Sequence, residues 1–430
     1  MDYDVAIIGA GWAGFTAAQK ARESGLRVAL IEKGQTGGTC LNRGCIPTKA
    51  LIQSAKVFLL SKKSQQFGIE ATNPVIHFTR IQERKELIMA QLRQGMDFLL
   101  KGIEVVRGEA RLVSSTILEI AGKKLTAKSI LVACGSMPMV LPSLPFDGKK
   151  IISSDEILNL KEIPGSLLIV GGGVIGCEFA GLFSALGSRV SVIEKMPQLL
   201  PGEDREAARK LENIFKKKKI TVHTNTDAAG VALDAYDLIL VCIGRVPNTR
   251  GLGLEDIGVK LERGRIVIDE YLRTNIPGVY AAGDCTGKVC LAHYAAYQGE
   301  LAAANILHPE APCKADATAV PSCIFTDPEI AGVGIKEEDA LHKGLEIEVK
   351  RFDFLGSGMA RILDETDGFI KIIIEKKGSR TIGASIIGPK ATELIGILAL
   401  AVSNNLTVSQ VKNTIFAHPT LSESIREALR

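Results

Sequence analysis

Two cysteines with a short, defined spacing are the residues whose chemistry this sequence predicts best. Cys40 and Cys45 lie in the segment G-G-T-C-L-N-R-G-C-I-P-T-K at residues 37–49, beside a glycine-rich, cationic turn. They are close enough to form a small-loop disulfide, and a helix beginning near Leu41 would direct its positive end at them, lowering the thiol pKa and favouring exchange. The pattern also fits two buried structural cysteines or half of a zinc site. No second close pair of cysteine or histidine completes a tetrahedral set, which disfavours zinc.

A glycine-rich turn near the N-terminus has the form that binds a dinucleotide. A short apolar run at residues 5–8 leads into the turn, and an alanine-rich helical stretch follows. This strand, turn and helix would set a pyrophosphate on the helix N-terminus. A second apolar run at residues 27–31 ends at Glu32, whose carboxylate can accept from both hydroxyls of an adenosine ribose. The glycines of this first glycine turn are Gly9, Gly11 and Gly14.

The same construction recurs in the middle of the chain. An apolar run at 166–170 leads into a second glycine turn, a helical stretch at 177–186 follows, and a run at 189–193 ends at Glu194. The last glycine and the acid are 18 positions apart in both copies (32 minus 14 and 194 minus 176). A duplication in this register indicates two dinucleotide sites. The glycines of the second glycine turn are Gly171, Gly173 and Gly176.

Composition limits the class of protein. The chain has 430 residues, 46% of them hydrophobic, which leaves room for about three domains. A net charge of +4 gives no sign of a nucleic-acid partner, and the lysine run at 216–219 is interpreted as a solvated helix end. Glycines and Glu178 interrupt the apolar stretch at 167–186, so we expect no membrane segment. The first strand would begin almost at Met1, leaving no space for a signal peptide, and the nine scattered cysteines fit a reducing cytoplasm.

Five further motifs are spread over the rest of the chain. They are A-C-G-S-x-P at 133–138, G-V-Y-A-A-G-D-C at 278–285, L-A-H at 291–293, P-S-C-I-F-T-D-P-E-I-A-G-V-G at 321–334 and H-P-T-L-S-E at 418–423. Together with the dithiol segment and the two glycine turns, they resemble the pyridine nucleotide-disulfide oxidoreductase family in content and order. Within that family the chain is most similar to the enzymes that oxidise dihydrolipoyl groups.

The resemblance implies an α/β fold with two Rossmann-like dinucleotide-binding domains, for FAD and NAD, and a C-terminal α+β dimerisation domain. The FAD-binding domain is expected to be discontinuous, and the NAD-binding domain lies between its two pieces. The predicted ranges are 1–148 and 276–316 for the FAD-binding domain, 149–275 for the NAD-binding domain and 317–430 for the dimerisation domain.

Local patterns add detail to the last two domains. Alternating strands at 369–375 and 381–387 and an apolar helix at 391–403 fit a dimerisation domain. Relatives usually insert an antiparallel meander in the part of the NAD-binding domain that corresponds to residues 220–244, and this chain is too short there to hold one. We therefore expect a shortened NAD-binding domain that still binds its nucleotide through the second glycine turn.

The resemblance also implies the catalytic roles. Cys40 would be the interchange thiol that meets the dithiol substrate, and Cys45 would be the thiol beside the flavin. This division is sensible because one sulfur must meet substrate while the other exchanges electrons with the flavin ring. His418 would be the acid-base catalyst, and Glu423 would orient it through the other ring nitrogen.

Other residues are implied to hold the cofactors. Lys49 lies one helical turn past Cys45, and the family pairs such a lysine with a glutamate near the flavin, here Glu178. An unpaired buried ammonium would be costly, which favours the pair. Asp284 is expected near the ribitol or phosphate end of FAD, with a simple turn as its alternative, and His293 is interpreted as a structural contact near the flavin. The residues expected at the two cofactors are Gly9, Gly11, Gly14, Glu32, Lys49, Gly135, Asp284, His293, Gly171, Gly173, Gly176, Glu178, Glu194 and Gly244.

The sequence also indicates which nicotinamide cofactor is used, and it departs from the family pattern at three positions. Glu194 would repel a 2′-phosphate, and the segment at 195–201 lacks the arginine pair of NADPH-using relatives, so NAD is favoured over NADP. Arg43 stands where a small apolar residue is common, and Phe416 stands where a second histidine is frequent. Val174 occupies the position where some relatives place a tyrosine lid over the flavin.

The predicted function is that of a homodimeric FAD enzyme that moves two electrons from a protein-bound dihydrolipoyl group to NAD. Its partner would be the lipoyl-bearing protein of a 2-oxoacid dehydrogenase or glycine cleavage complex. Another disulfide reductase is the nearest alternative, although the absence of a terminal cysteine pair disfavours mercuric reductase and the absence of the NADP arginines disfavours glutathione reductase. A flavin-bound docking subunit with little turnover is the alternative from another class, and the intact Cys40, Cys45 and His418 argue against it.

Overall fold

A computed structural model describes residues 1–71, 73–228 and 231–430, which form three main sheets with helices packed on them. The strands are β1 (Tyr3–Ile8), β2 (Val28–Glu32), β3 (Glu104–Arg107), β4 (Ala110–Ser114), β5 (Ile117–Ile120), β6 (Lys123–Val132), β7 (Ser136–Pro138), β8 (Ile151–Ile152), β9 (Ser166–Val170), β10 (Arg189–Ile193), β11 (Thr221–His223), β12 (Leu238–Val241), β13 (Arg245–Pro247), β14 (Leu261–Glu262), β15 (Arg265–Ile266), β16 (Val279–Ala281), β17 (Ser322–Ile324), β18 (Glu329–Gly334), β19 (Ile347–Asp353), β20 (Phe369–Glu375) and β21 (Arg380–Gly388). The helices are α1 (Trp12–Glu23), α2 (Gly38–Arg43), α3 (Cys45–Lys62), α4 (Phe78–Leu99), α5 (Val174–Ala185), α6 (Arg205–Lys217), α7 (Ala292–Leu307), α8 (Glu337–His342), α9 (Gly358–Ile362), α10 (Ala391–Ser403), α11 (Val408–Asn413) and α12 (Glu423–Ala428).

The first sheet, with its helices, is called the flavin domain. Its parallel part has the strand order β3-β2-β1-β6-β16, and β4 and β5 continue antiparallel from the first half of β6. The central strands are apolar because they are buried on both faces. Helices α1 and α7 pack closely, since a Cβ at Gly299 would lie only 2.1 Å from Ala13 O. This packing holds α1, and with it the first glycine turn, at the carboxyl end of β1.

The second sheet, with its helices, is called the nicotinamide domain. Its five strands are all parallel, in the order β11-β10-β9-β12-β8. The predicted strands at 166–170 and 189–193 are confirmed as β9 and β10, while α5 begins at Val174, earlier than the predicted residue 177. Between β11 and β12, the described residues 224–228 and 231–237 contain no strand, and residues 229 and 230 lie outside the described part of the chain.

The chain returns to the flavin domain directly after β12. β13 pairs with β7, Leu112 N donates to Leu252 O at 2.7 Å, and Leu254 is buried in the core of the first sheet. These contacts favour a boundary near Gly244 rather than the predicted one at residue 275. The other predicted domain limits stay predictions.

The third sheet, with its helices, is called the interface domain. It is antiparallel, in the order β17-β18-β21-β20-β19, and α10 packs on its buried face. The predicted elements at 369–375 and 391–403 are confirmed as β20 and α10, and β21 is one residue longer at each end than the predicted 381–387. This domain positions the C-terminal segment that carries His418.

Candidate active site

The two predicted redox cysteines lie on two helices that meet at Gly44. Cys40 is in α2, and Cys45 is the first residue of α3. The predicted helix start near Leu41 is wrong, because α2 begins earlier, at Gly38, and the helix N-terminus at the dithiol is that of α3. A Cβ at Gly44 would lie 3.0 Å from a backbone oxygen of α2, so the turn between the helices suits glycine.

The two thiols differ in their affinity for a proton. The pKa of Cys45 is lowered to about 7, chiefly by a hydrogen bond with Cys40 and also by the nearby Lys49, against the opposing effect of burial. The pKa of Cys40 is raised by the same hydrogen bond and by burial. Both cysteines are free thiols in this structure. The lowered pKa favours the thiolate form of Cys45, and the thiolate is the reactive form in exchange.

An ion pair connects the dithiol helix to the nicotinamide domain. Lys49 Nζ on α3 lies 2.8 Å from both Oε1 and Oε2 of Glu178 on α5, and the Glu178 side chain is 3% exposed. Phe325 of the interface domain donates its backbone N–H to Glu178 Oε1 at 3.0 Å, and its ring centroid lies 4.8 Å from Lys49 Nζ. The predicted pair is therefore formed, while its position beside a flavin stays a prediction.

The acidic residues of the two glycine turns are held in the same way. Glu32 Oε2 accepts from Ala10 N, and Glu194 Oε2 accepts from Gly172 N, both at 2.7 Å. The other oxygen of each carboxylate accepts from the backbone N–H two positions further along the chain, again at 2.7 Å. Each carboxylate is thus fixed beside its turn, and its role in binding a ribose stays a prediction.

The first and last glycines of each turn touch one another. A Cβ at Gly14 would lie 1.8 Å from Gly9 O, and a Cβ at Gly176 would lie 1.9 Å from Gly171 O. Gly9 and Gly171 also have φ of +102° and +112°, a conformation that side chains disfavour. The sequence duplication is therefore a structural duplication, and no larger residue fits at the last glycine of either turn.

Both turns leave room and hydrogen-bond donors for a pyrophosphate. α1 and α5 begin directly after Gly11 and Gly173, and neither has a side-chain cap, so their first N–H groups are available. A Cβ at Gly173 would meet nothing within 4 Å, and one at Gly11 nothing closer than 3.8 Å. Open backbone and unused donors fit the phosphates of FAD at the first turn and of NAD at the second.

Arg245 is a site residue that the sequence reasoning missed. Its Nε and Nη2 donate to Ser136 Oγ and O at 2.8 and 2.7 Å, and Ser136 Oγ donates to Asp284 Oδ2 at 2.6 Å. Ser136 and Arg245 directly follow Gly135 and Gly244, whose φ values are +69° and +134°. The two predicted glycines therefore turn the chain so that three distant motifs meet at Asp284. In the sequence, only the position of Arg245 directly after the predicted site residue Gly244 could have indicated that it belongs to the site.

The C-terminal motif forms a histidine-carboxylate pair. His418 Nδ1 lies 2.9 Å from Glu423 Oε2, and the hydrogen bond with His418 lowers the pKa of Glu423. The His418 side chain is 79% exposed. Its Nε2 makes no hydrogen bond within the described chain, and its role as the acid-base catalyst stays a prediction.

His293 makes a contact of another kind. Its Nε2 lies 2.8 Å from Pro321 O, at the start of the P-S-C motif of the interface domain. This hydrogen bond ties α7 to the interface domain. The predicted proximity of His293 to the flavin stays a prediction.

Residues 1–71, 73–228 and 231–430 contain neither a candidate metal centre nor a candidate membrane span. No group of three or more His, Cys, Asp or Glu side chains in these ranges could hold a metal ion. No helix in them is both long enough and apolar enough to cross a membrane.

Comparison with known proteins identifies the class. Residues 3–299 match the family model described as pyridine nucleotide-disulphide oxidoreductase, and residues 320–429 match the dimerisation domain of that family. The chain therefore belongs to the pyridine nucleotide-disulphide oxidoreductase family, as its motifs predict, and the predicted α/β fold is confirmed. It is an FAD-dependent oxidoreductase with FAD and NAD as cofactors, and the dimerisation domain supports a homodimer.

Individual relatives narrow the class. The chain is 42% identical to the dihydrolipoyl dehydrogenase of Chlamydia pneumoniae, covering 98% of this chain and 95% of that protein. It is 41% identical to a dihydrolipoyl dehydrogenase of Bacillus subtilis strain 168, covering 99% and 97%. Among solved structures, it is similar to LpdA from Mycobacterium tuberculosis, with a TM-score of 0.92, 31% identity and 99% of both chains covered. It is also similar to the HOCl-induced flavoprotein disulfide reductase RclA from Escherichia coli, with a TM-score of 0.88, 31% identity and 99% of both chains covered.

Proposed function

We propose that this protein oxidises dihydrolipoyl groups carried by a partner protein and reduces NAD, by way of a Cys40–Cys45 disulfide and FAD. The observation that carries the proposal is the arrangement of the dithiol, because Cys45 is the first residue of α3, forms a hydrogen bond with Cys40, and lies one helical turn before Lys49, which pairs with Glu178 at 2.8 Å. The substrate class comes from the relatives named dihydrolipoyl dehydrogenase, which the chain matches over nearly its full length.

The dithiol half of the reaction consists of two exchanges. A substrate thiolate attacks Cys40 Sγ, the Cys40–Cys45 bond breaks, and Cys45 leaves as a thiolate, which its low pKa favours. The second substrate thiolate attacks the substrate sulfur that is bound to Cys40. The mixed disulfide breaks, the lipoyl disulfide departs, and the protein keeps the two electrons in its dithiol.

Proton transfer in these exchanges is assigned to the partner subunit's His418. The hydrogen bond of Nδ1 to Glu423 leaves Nε2 to take a proton from a thiol, and the carboxylate stabilises the imidazolium that results. The high exposure of this side chain in one protomer supports a role across a twofold axis.

Cofactor binding is assigned to the two glycine turns. FAD supplies, when bound, a two-electron carrier between the dithiol and NAD. The first glycine turn with Glu32 would hold it, and the Lys49–Glu178 pair would lie at its ring. The second glycine turn with Glu194 would hold NAD. Lys195, the cation next to Glu194, is paired with Asp227 at 3.3 Å, which supports NAD over NADP because a 2′-phosphate would need such a cation.

The partner and the location follow from the proposed substrate. The partner would be the lipoyl-bearing protein of a 2-oxoacid dehydrogenase or glycine cleavage complex, in a reducing cytoplasm. The similarity to the disulfide reductase RclA favours one second candidate, another FAD-dependent reductase of the same family with a different disulfide substrate.

A steady-state comparison tests the proposal. Purified protein would be assayed with dihydrolipoamide and NAD, with dihydrolipoamide and NADP, and with NADH and either lipoamide or glutathione disulfide. We expect the lipoyl substrates with NAD or NADH to give the highest kcat/KM, and Cys45→Ser to abolish turnover while the protein stays yellow. Faster turnover of another disulfide would favour the second candidate. Absence of turnover in every assay would favour a docking subunit.

A further inference from the structure

A buried lysine joins the interface domain to the nicotinamide domain. Lys371, in the middle of β20, is 3% exposed, and its Nζ lies 2.8 Å from Asp204 Oδ2, 2.7 Å from Glu337 Oε2 and 3.5 Å from Glu206 Oε2. Burial, the largest effect, acts to lower the pKa of Lys371, but the hydrogen bonds to Asp204 and Glu337 outweigh it and the pKa is raised. The lysine is therefore charged at the centre of three carboxylates.

Asp204 has a second function in the same place. Its Oδ1 accepts from the backbone N–H groups of Glu206 and Ala207 at 3.0 and 3.1 Å, which makes it the N-cap of α6. One carboxylate oxygen thus holds the helix and the other holds Lys371. Because β20 is a central strand of the interface sheet, Lys371 ties the start of α6 to a rigid platform.

The segment from Glu194 to Asp204 links this ion cluster to the second glycine turn. At its first end, Glu194 Oε1 accepts from Met196 N at 2.7 Å. In its middle, Leu200 N donates to Gly172 O at 2.8 Å, so the segment lies directly on the turn. At its far end lies the cluster around the buried lysine. The carboxylate that would bind the ribose is therefore connected to the interface domain by one short, hydrogen-bonded segment.

Other ion pairs cross the same domain contact, but they are exposed. They are Arg351–Glu206 at 3.1 Å, Lys210–Asp367 at 2.9 Å, Lys218–Asp327 at 2.6 Å and Arg205–Glu338 at 3.9 Å. Exposed pairs contribute little because water screens them, whereas a buried pair is costly to break. Lys371 is accordingly the member of this contact whose removal should have the largest effect.

We propose that Lys371 is a positioning residue for NAD, which acts by holding Asp204 and so fixes the segment from Glu194 to Asp204, at whose first residue the ribose-binding carboxylate lies. The inference rests on the proposed use of NAD at the second glycine turn and adds a residue from another domain to that site. Without the lysine, the start of α6 keeps its cap but loses its attachment to β20. The segment then has more conformations in the free protein, and NAD binding must select among them.

Lys371→Met tests this by removing the charge while keeping most of the side-chain volume. Methionine has nearly the same length, Asp204 keeps its two helix N–H partners, and Glu337 is partly exposed and can turn to water. We expect the Kd and the KM for NADH to rise about tenfold, which corresponds to about 1.4 kcal/mol, while kcat changes by less than about twofold. The assay is NADH-dependent reduction of ferricyanide, which requires no lipoyl substrate, with Kd taken from NADH titration.

Two matched variants separate positioning from general stability. Lys85 is also buried, at 2% exposure, and its Nζ contacts Leu158 O at 2.7 Å and Glu86 Oε1 at 2.9 Å rather than any residue of the second glycine turn. Lys85→Met should lower the melting temperature without changing the KM for NADH. Asp204→Ser keeps a good N-cap but loses the ion pair, so it should raise the KM as Lys371→Met does. The double variant should then be no worse than either single variant, because both remove the same interaction.

An unchanged KM and Kd for NADH in Lys371→Met, with a lower melting temperature, would overturn the proposal and leave the cluster a purely stabilising one. If Lys371→Met does not fold, the Asp204→Ser variant provides the test. An unchanged affinity of Asp204→Ser for NADH would also overturn the proposal. Lack of NADH binding by the unmodified protein would contradict the proposed function, and the inference with it. Turnover of NADH without any turnover of lipoamide would contradict the substrate assignment alone.

Discussion

Lys49 Nζ lies 2.8 Å from both carboxylate oxygens of Glu178, although the two residues are 129 positions apart and lie in different domains. Lys49 is also one helical turn beyond Cys45 and is one of the groups that lower the pKa of that thiol, while Glu178 acts to raise it. Lys49 thus forms an ion pair with a buried carboxylate of the nicotinamide domain and also acts electrostatically on the dithiol. The opposing effects of Lys49 and Glu178 on the pKa of Cys45 help to determine what fraction of this thiol is ionised.

Removal of the Lys49 charge should make Cys45 less acidic. In Lys49→Met the thiolate loses a nearby cation and Glu178 loses its partner, and both changes favour the protonated thiol. The pKa of Cys45, about 7 in the unmodified protein, should rise by about 1 unit. The rate of Cys45 alkylation by iodoacetamide in the reduced protein, followed by mass spectrometry against pH, reports the midpoint.

Lys56→Met is the matched control for this measurement. Lys56 lies on the same helix and pairs with Glu329 at 2.9 Å, but it is not among the main groups that shift the Cys45 pKa. Its alkylation midpoint should stay near that of the unmodified protein. Equal midpoints in the Lys49 and Lys56 variants would show that Lys49 has no electrostatic effect on Cys45.

A substitution that blocks one glycine turn should abolish or weaken binding of the cofactor at that turn and leave the other cofactor bound. A Cβ at Gly14 or Gly176 would lie within 2 Å of a backbone oxygen, so alanine must push the turn open. Gly14→Ala should give a colourless protein without FAD. Gly176→Ala should stay yellow but lose NADH binding by at least tenfold. Absorbance of the purified protein and NADH titration measure the two effects.

Gly95→Ala serves as the control for both variants. Gly95 is in α4, and a Cβ there would meet nothing within 4 Å. Alanine should therefore keep both cofactors and stabilise the helix by about 0.4–1 kcal/mol. Loss of FAD from Gly176→Ala would mean that the two turns do not bind their cofactors independently.

The features that could be predicted from the sequence are those whose partners lie at short, fixed spacing. The glycine turns, the cysteine pair and the His418–Glu423 pair all belong to this group. The contact of Lys371 with Asp204 joins two domains, and that of Arg245 with Ser136 joins two paired strands 109 positions apart, so no local pattern indicates either contact. The start of α3 at Cys45 was also missed, because Gly44 ends one helix and begins the next, and the sequence around it is compatible with a single helix.

A change at Glu194 should alter the choice of nucleotide. Its two oxygens are fixed by backbone N–H groups, so they present acceptors to a ribose in a defined place. Glu194→Arg should weaken NAD binding by about 1.5–3 kcal/mol, which is the usual contribution of hydrogen bonds to a charged group. The same change should strengthen NADP binding, because arginine attracts the 2′-phosphate. The ratio of kcat/KM for the two nucleotides measures this change.

Lys195→Ala is the control for nucleotide choice. Lys195 is an exposed neighbour of Glu194 that pairs with Asp227, so its removal should leave the ratio within about twofold, since exposed pairs contribute little. An unchanged ratio in Glu194→Arg would show that selectivity is determined elsewhere on the second glycine turn.

The proposed sharing of the active site between two protomers gives the last prediction. Cys45 lies in the flavin domain, and His418 lies 373 positions later (418 minus 45) on an exposed segment of the interface domain. A C₂ dimer places equivalent surfaces of the two chains against each other. Each site would then take Cys40 and Cys45 from one subunit and His418 with Glu423 from the other.

Two inactive variants, Cys45→Ser and His418→Gln, should therefore restore activity when their subunits are exchanged. In a random 1:1 mixture half of the dimers are hybrids, and each hybrid has one intact site and one site with both changes, so about a quarter of native activity is expected for a C₂ dimer. A mixture of Cys45→Ser with Cys40→Ser is the control, because both changes fall in the same half of the site and should restore nothing. If exchange is confirmed by mass spectrometry and the first mixture stays inactive, each protomer must hold a complete site of its own.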